Sequence, residues 1–352
     1  MQILLVRLRL IGDVVFTTPA IRALRRTFPD ARLTYLVEDS AAPVVSGNPH
    51  LDEVIAIPRT RGLARVIDDY RVGRALRARR FDLVIDFHGG PRGSWLTWLT
   101  GATRRIGYTV AGRSWMYTTA VPRPRELRPR HSVENQWDLL EVLGVPPPEP
   151  ARDALEMAED AGARAEVDRR LAAAGVTADA PLVVMHVSAG NPFRRWPVES
   201  FASVAASLVR RDPSRAIVLT SGPSESDAAD RAGDLARAQA GAAGSRVLRI
   251  GEVSLGELRA LVGRAALYIG GDSGPLHIAG TTRTPVVGLF GPTLPVRSMP
   301  WRDPAIAAEA IEPGPLACRP CDQRHCEPGD YRCLTGTPAE RVIAAAERLL
   351  GR

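Results

Sequence analysis

The sequence predicts an α/β protein built from two doubly wound domains. Three observations predict it: the length, a recurring pattern of short apolar runs each followed by a helical segment, and a proline-rich break between two series of such runs. The chain has 352 residues, and at about 150 residues per domain that suits two separate cores. Hydrophobic residues make up 45% and charged residues 24%, ordinary values for a folded chain, which excludes wholesale disorder.

The first series of apolar runs is ILLVRL at 3–8, LTYLV at 33–37, VIAI at 54–57 and DLVIDF at 82–87. The second is LVVMHV at 182–187, AIVLT at 216–220, RVLRI at 246–250, ALYIG at 266–270 and VVGLF at 286–290. Short apolar strands alternating with helices indicate parallel βαβ units. Between the series, Val145 to Arg152 carries Pro146, Pro147, Pro148 and Pro150. Proline fixes φ and lacks a donor, so this stretch reads as an extended connector. The expected domains are therefore 1–150 and 151–335. Residues 336–352 follow as a last helix, with Thr337 as N-cap and Pro338 in its first turn.

The longest stretch free of charged side chains is Ala180 to Phe193, too short for the roughly 20 apolar residues of a membrane span. The opening MQILLVRLRL lacks a charged region ahead of its apolar run and a small-residue cleavage site, so it reads as the first strand and not as a signal peptide.

All 46 basic residues are arginine. Without lysine there is no Walker A lysine and no Schiff-base lysine, which excludes P-loop kinases and pyridoxal-imine enzymes. The net charge of +7 lies in the first domain: residues 1–150 hold 22 Arg and 15 acids, residues 151–352 hold 24 of each. The excess concentrates in 59–80 and 104–130. Arginine matches phosphate and carboxylate geometry. A solvated basic face and an anionic partner, whether ligand or membrane surface, both fit. The pI near 9.8 alone suggests nucleic acid, but no recognised module supports that partner.

Doubly wound domains bind ligands at the carboxyl ends of their strands, and two facing domains bind them in the cleft they form. Four loops at such positions stand out. The first runs from Arg9 to Pro19, where Gly12 allows a tight turn and Asp13 sits at a helix start. A carboxylate there can cap the helix or accept a proton from a hydroxyl. The second, His186 to Pro197, offers Ser188, Gly190, Arg194 and Arg195 and suits a diphosphate; Trp196 reads as core. The third, Ser221 to Asp227, offers Glu225 to ribose hydroxyls or to its own helix start. The fourth, GGDSGPLHIA at 270–279, is a strand-to-helix anion site: amides at Ser273 and Gly274 can hold phosphate, with Asp272 beside them and His277 one turn on. No G-x-G, D-x-D or G-x-S-x-G spacing exists in the chain, so the dinucleotide fingerprint, the metal-diphosphate motif and the nucleophile elbow are all missing.

Cys318, Cys321, Cys326 and Cys333 are the chain's four cysteines. Their clustering is not that of a disulfide-rich secreted protein, which points to a reducing, cytoplasmic compartment. Four thiolates this close could hold a structural zinc; free thiols and labile disulfides are the other readings.

These motifs carry a resemblance. The opening ILLVRLRLIGDVVFTTPAIRALRRTFP, the loop from His186 to Pro197, GGDSGPLHIAGTTRTPVVGLFGPT at 270–293 and the tail CRPCDQRHCEPGDYRC resemble glycosyltransferase family 9, the ADP-heptose:lipopolysaccharide heptosyltransferases. The resemblance covers essentially the whole chain. It implies a GT-B fold of two facing Rossmann-like domains, with a last helix that often returns to the first domain. It also implies inverting transfer of a sugar from a nucleotide diphosphate with no catalytic metal. Asp13 matches the family's catalytic aspartate. Gly12, Ser188, Arg194, Glu225, Asp272, Ser273, Gly274 and His277 match its donor site. Arg194 stands where the family usually has lysine, which keeps the charge and changes the geometry. Arg59 and Arg61, just past VIAI, are the acceptor candidates. The expected activity is heptose transfer from ADP-heptose to the lipopolysaccharide inner core, in the cytoplasm at the inner membrane's inner face. The alternatives are another nucleotide sugar or acceptor, a sugar-nucleotide epimerase, or a non-catalytic binding protein on the same fold.

Overall fold

The computed structural model describes every residue except Arg61, 124–128, Ser188 and Arg352, with Leu63 described by its backbone alone. The chain forms two compact units, Met1–Ala158 and Glu159–Arg352. The sequence put the division at 150. It falls later because the segment after the prolines is tied into the first unit: Asp153, Leu155 and Met157 are buried, Asp153 accepts from Arg26 at 2.9 Å, and the Glu156 N–H donates to Thr18 Oγ1 at 2.9 Å.

The first unit holds strands β1 (Gln2–Val6), β2 (Arg32–Glu38), β3 (Glu53–Ile57), β4 (Leu83–Asp86), β5 (Arg104–Tyr108) and β6 (Thr119–Val121), and helices α1 (Ile11–Thr27), α2 (Gly62–Ala78), α3 (Pro91–Leu99) and α4 (Ser132–Glu141). Its sheet runs β3-β2-β1-β4-β5-β6, with every pair parallel. The four expected strands are present. β5 and β6 escaped the reading because one opens on two arginines and the other is three residues long with two of them exposed. In α1, Pro19 lies inside the helix and cannot donate to the Val15 carbonyl. The Thr18 hydroxyl donates to that carbonyl instead, at 2.8 Å. This is the physical use of the Thr-Thr-Pro sequence. Thr17 donates to Val14 O at 2.7 Å and meets Tyr35 Oη at 2.7 Å, so the helix stays whole across the proline.

The second unit holds β7 (Leu182–His186), β8 (Ala216–Thr220), β9 (Val247–Leu248), β10 (Leu267–Gly271), β11 (Val286–Leu289) and β12 (Ala308–Ile311). Its helices are α5 (Ala161–Ala173), α6 (Val198–Arg211), α7 (Ser226–Ala240), α8 (Leu255–Arg264), α9 (Gly274–Ala279), α10 (Pro295–Ser298), α11 (Arg332–Thr335) and α12 (Ala339–Leu350). The sheet order is β12-β11-β10-β7-β8-β9, again all parallel. β12, with a glutamate among its four residues, is the strand the hydrophobic pattern did not show. Helix α6 buries Phe201, Ala202, Ala205, Leu208 and Val209, the spacing of one helical face. Ala229, Ala232, Gly233 and Ala236 of α7 are buried in turn, and their small side chains let the two helices approach closely.

The last helix starts one residue later than its expected cap, with Pro338 at the N-cap. Thr337 instead accepts the Trp196 indole N–H at 3.1 Å on its carbonyl. The resemblance suggested a return to the first domain. The buried face of α12, Val342, Ala345, Ala346 and Leu349, belongs to the second unit's core with Trp196 and Phe201. Small residues on that face sit flush against the sheet and α6, which supplies the helix with its apolar cover. Among the described residues, no helix is long and apolar enough to cross a membrane.

Candidate active site

In the first unit, the chain leaves β1 and turns at Leu10, which is exposed and has φ 69°. The left-handed conformation thus falls on Leu10, not on Gly12, which is already helical. No side chain caps this helix start, so Asp13 is not a cap. Its Oδ2 lies 2.5 Å from Arg7 Nη2. The Arg7 guanidinium is buried and donates to Phe87 O at 3.2 Å, whereas the Asp13 side chain keeps 35% exposure. A buried cation therefore pins a carboxylate that still faces solvent.

A second carboxylate behaves differently. Asp86, the last residue of β4, is fully buried. It accepts from the N–H groups of His88 and Gly89 at 2.9 and 3.0 Å and from Tyr117 Oη at 2.7 Å. Burial pushes its carboxyl above the usual range in spite of those bonds. His88 is pushed down to about 4 by burial, with Arg7 and Arg123 acting in the same direction, so its ring is neutral at pH 7. Asp86, His88, Arg9, Arg59 and Arg92 line a cavity of about 250 Å³. Arg59, the acceptor candidate, lies in the wall of this cavity. Arg61 lies outside the described residues. Arg92 is buried and knots the cavity wall together: Nε donates to Asp69 at 2.8 Å, Nη1 to Glu38 at 2.9 Å and Nη2 to Pro58 O at 3.2 Å.

In the second unit, Arg194 ends a single turn after β7 that the Asn191 side chain caps, accepting from the Phe193 N–H at 3.0 Å. Its Nη1 donates to Asp272 O at 2.9 Å and lies 3.2 Å from Asp272 Oδ2. Its Nε donates to Gln323 Oε1 at 2.7 Å. A side chain at Gly271 would press on the Arg194 carbonyl, so glycine there admits the loop. Asp272 is buried, accepts from Thr293 Oγ1 at 2.6 Å and lies 3.6 Å from His277 Nε2. Ser273 is the N-cap of α9 and Gly274 its first residue. The structure thus brings Arg194, Asp272, Ser273, Gly274 and His277 together. Glu225 is buried in a neighbouring contact set, held by Ser224 Oγ at 2.6 Å and Arg195 Nη2 at 3.4 Å. Ser188 lies outside the described residues.

The zinc suggested for the cysteines is not supported. All four are free thiols, half-buried, and among the described residues no group of three or more His, Cys, Asp or Glu is placed to hold a metal ion. Cys333 packs against the second unit's apolar core, and Cys321 Sγ accepts the Gln323 N–H at 3.3 Å. Cys333 is thus used in packing and Cys321 in the turn that delivers Gln323 to Arg194.

The reading of the sequence missed Arg7, Asp86, His88, Thr293 and Gln323. Asp86 and His88 had a signal: D-F-H-G-G follows an apolar run, just as the chosen loops do. Gln323 had none, because its partner is distant in sequence.

A family model described as glycosyltransferase family 9 (heptosyltransferase) matches residues 70–331. The chain belongs to that family. It is 30% identical to lipopolysaccharide heptosyltransferase 3 of Escherichia coli over 97% of both chains, and 27% identical to lipopolysaccharide heptosyltransferase 1 of Pseudomonas aeruginosa over 84% of this chain and 80% of that one. Among solved structures, a family 9 glycosyl transferase from Veillonella parvula superposes with a TM-score of 0.85 at 26% identity, covering 99% of this chain and 97% of the other. An E. coli heptosyltransferase solved with ADP superposes at 0.71 with 21% identity, covering 99% and 100%; at that identity it supports the GT-B fold of the family. The chain is a family 9 glycosyltransferase of α/β, GT-B architecture.

Proposed function

We propose that this glycosyltransferase moves a heptose from ADP-heptose to the inner core of lipopolysaccharide, with inversion and without a catalytic metal. The names of its relatives support the substrates. The observation that carries the chemistry is the contrast between Asp13, held by Arg7 and open to solvent, and Asp86, sealed inside. Only an accessible carboxylate can take a proton from an incoming hydroxyl.

In this reading the acceptor hydroxyl gives its proton to Asp13 as its oxygen attacks the anomeric carbon. The bond from that carbon to the diphosphate breaks, and its electron pair leaves on ADP. Charge grows on the diphosphate as the bond breaks. Arg194 and the amides of Ser273 and Gly274 hold that charge, the part a metal ion takes in other enzymes. Asp272 aims Arg194, with His277 beside it, and Glu225 accepts from the ribose hydroxyls. Arg59 and the cavity it lines receive the anionic acceptor. The enzyme works in the cytoplasm, at the inner face of the inner membrane, where a lipid-borne acceptor is met.

The test is ADP release by the purified chain with ADP-heptose and heptose-deficient core lipopolysaccharide. ADP should appear only when both are present, and GDP-, UDP- and dTDP-sugars should not substitute. Release from another nucleotide sugar alone would move the enzyme to a different donor, and release without acceptor would remove transfer from the account.

A further inference from the structure

The chain has six tryptophans. Trp137 and Trp196 are buried, each donating its indole N–H to a carbonyl. Three others gather on the outside of the first unit. Trp95 and Trp98, on α3, are 38% and 37% exposed, and Trp115, in the turn Ser114–Met116, is 60% exposed. Trp95 and Trp98 stack with ring centroids 5.1 Å apart and 27° between planes. Trp98 meets Trp115 edge-on at 5.7 Å. The result is a continuous indole surface that the core does not use. Isolated exposed apolar residues are ordinary, but three large aromatics in contact are not.

The stretch of chain that carries these indoles is one-sided in charge. From Asp86 to Glu126 the sequence contains no acidic residue between the two, and Arg104, Arg105, Arg113 and Arg123 fall in that stretch. Helix α2 packs beside α3, fixed by the Asp69–Arg92 pair and by Gly73, whose missing side chain makes room for Leu99. α2 exposes Val66, Ile67 and Tyr70 together with Arg71 and Arg74. Indole rings combine a large apolar body with one polar N–H, which suits them to the headgroup layer of a bilayer. Arginines in the same acid-free stretch and on the exposed side of α2 favour anionic headgroups. A protein partner of matching charge would need an acidic, aromatic-binding face of its own. A lipid surface supplies both features without further design.

We propose that the face formed by Trp95, Trp98 and Trp115, with the exposed side of α2, docks on an anionic phospholipid surface. α3 begins at the 250 Å³ cavity, with Pro91, Arg92 and Gly93 in its wall, and carries Trp95 and Trp98 along the same helix. Docking there therefore sets the cavity beside the plane in which a lipid-borne acceptor sits. This placement rests on the membrane-face reading above, and not on which sugar is moved.

The test is flotation of the full chain with vesicles of phosphatidylglycerol and phosphatidylethanolamine, with vesicles of phosphatidylcholine as comparison and no donor or glycolipid present. Because no substrate is used, the outcome is independent of the transfer reaction. The chain should float with the anionic vesicles and not with phosphatidylcholine, and added salt should weaken the association. A chain carrying Trp95→Ala, Trp98→Ala and Trp115→Ala should bind about tenfold or more weakly while keeping its melting temperature. Trp115→Ala alone, at the most exposed of the three, provides the same comparison if the triple change does not fold. Equal binding by the variants, equal binding to phosphatidylcholine, or no binding by the parent chain would overturn the proposal. So would a dimer of the parent chain that the tryptophan changes dissolve, since the face would then belong to a second copy.

Discussion

The two units share one strand topology and set different charges at the ends of their central strands. Each sheet places its first and fourth strands side by side at the centre, β1 beside β4 and β7 beside β10, with the others fanning outward in the same order. The loops after those central strands carry the candidate site residues in both, as expected where the strand order reverses. In the first unit the loops deliver two carboxylates of opposite character, Asp13 in the open and Asp86 sealed. In the second they deliver a guanidinium, Arg194, braced by a buried carboxylate. In the proposed mechanism, one scaffold presents the proton acceptor and the other the anion holder. The difference lies in which charge is buried and which is left facing outward. Sequence alone did not show that the halves are topological copies; the matching strand orders do.

The sharpest way to break this contrast is to exchange buried for exposed. Arg92, like Arg7, is a buried cation of the first unit, and Arg92→Met would strand Glu38 without a guanidinium and leave Asp69 only the longer Arg65 contact at 3.5 Å. Removing one partner from a buried ion pair costs about 3–5 kcal/mol, so thermal or urea unfolding should show the first unit losing most of its margin. A next, comparable effect concerns pH in the second unit. His186 is buried at the end of β7 and pushed down to about 4 by that burial. The unfolded chain binds this proton near the ordinary value of about 6.5 while the folded chain does not. Its contribution is therefore intact above about 6.5 and declines as pH falls toward 4, reaching roughly 3 kcal/mol. Melting temperatures measured across that window should fall less steeply for His186→Asn than for the parent chain.

Arg194 gives a smaller effect of another kind. Its side chain is 28% exposed, so Arg194→Gln should leave the melting temperature within a few degrees. It should nevertheless weaken ADP binding by roughly ten- to a hundredfold, the worth of a charged hydrogen bond; calorimetric titration with ADP reads this directly. The smallest change is Thr18→Ala, which orphans the Val15 carbonyl beneath Pro19 and releases the Glu156 N–H. It should lower stability by about 1–3 kcal/mol with the ADP affinity of the second unit unchanged.

Much of this was legible in the sequence. Central parallel strands are buried on both faces, so their apolar runs are continuous and easily read; β1, β2, β7, β8 and β10 are of that kind. Edge strands such as β6 and β12 are short and partly polar, and their pattern fades into the loops. The site divides along the same line. Asp13, Arg194 and the 272–277 group lie in local motifs that can be read along the chain, although for Asp13 spacing left a helix cap and a base both open and the family resemblance supplied the role. Their supports do not: Arg7 meets Asp13 across a turn whose strained residue, Leu10, carries no glycine signal, and Gln323 reaches Arg194 from far along the chain. The division between units moved for a similar reason, because Asp153 and Glu156 bind α1 through contacts remote in sequence.

Asp13→Asn, assayed in one preparation for turnover with ADP-heptose and for ADP affinity, asks whether that open carboxylate is the proton acceptor. The amide keeps the side chain's shape and cannot act as a base. Turnover should drop by about 10²- to 10⁴-fold while ADP affinity stays within roughly twofold of the parent, since a base acts on chemistry and not on nucleotide binding. Near-parental turnover, or a loss of ADP affinity as large as the loss of turnover, would contradict the assignment of Asp13.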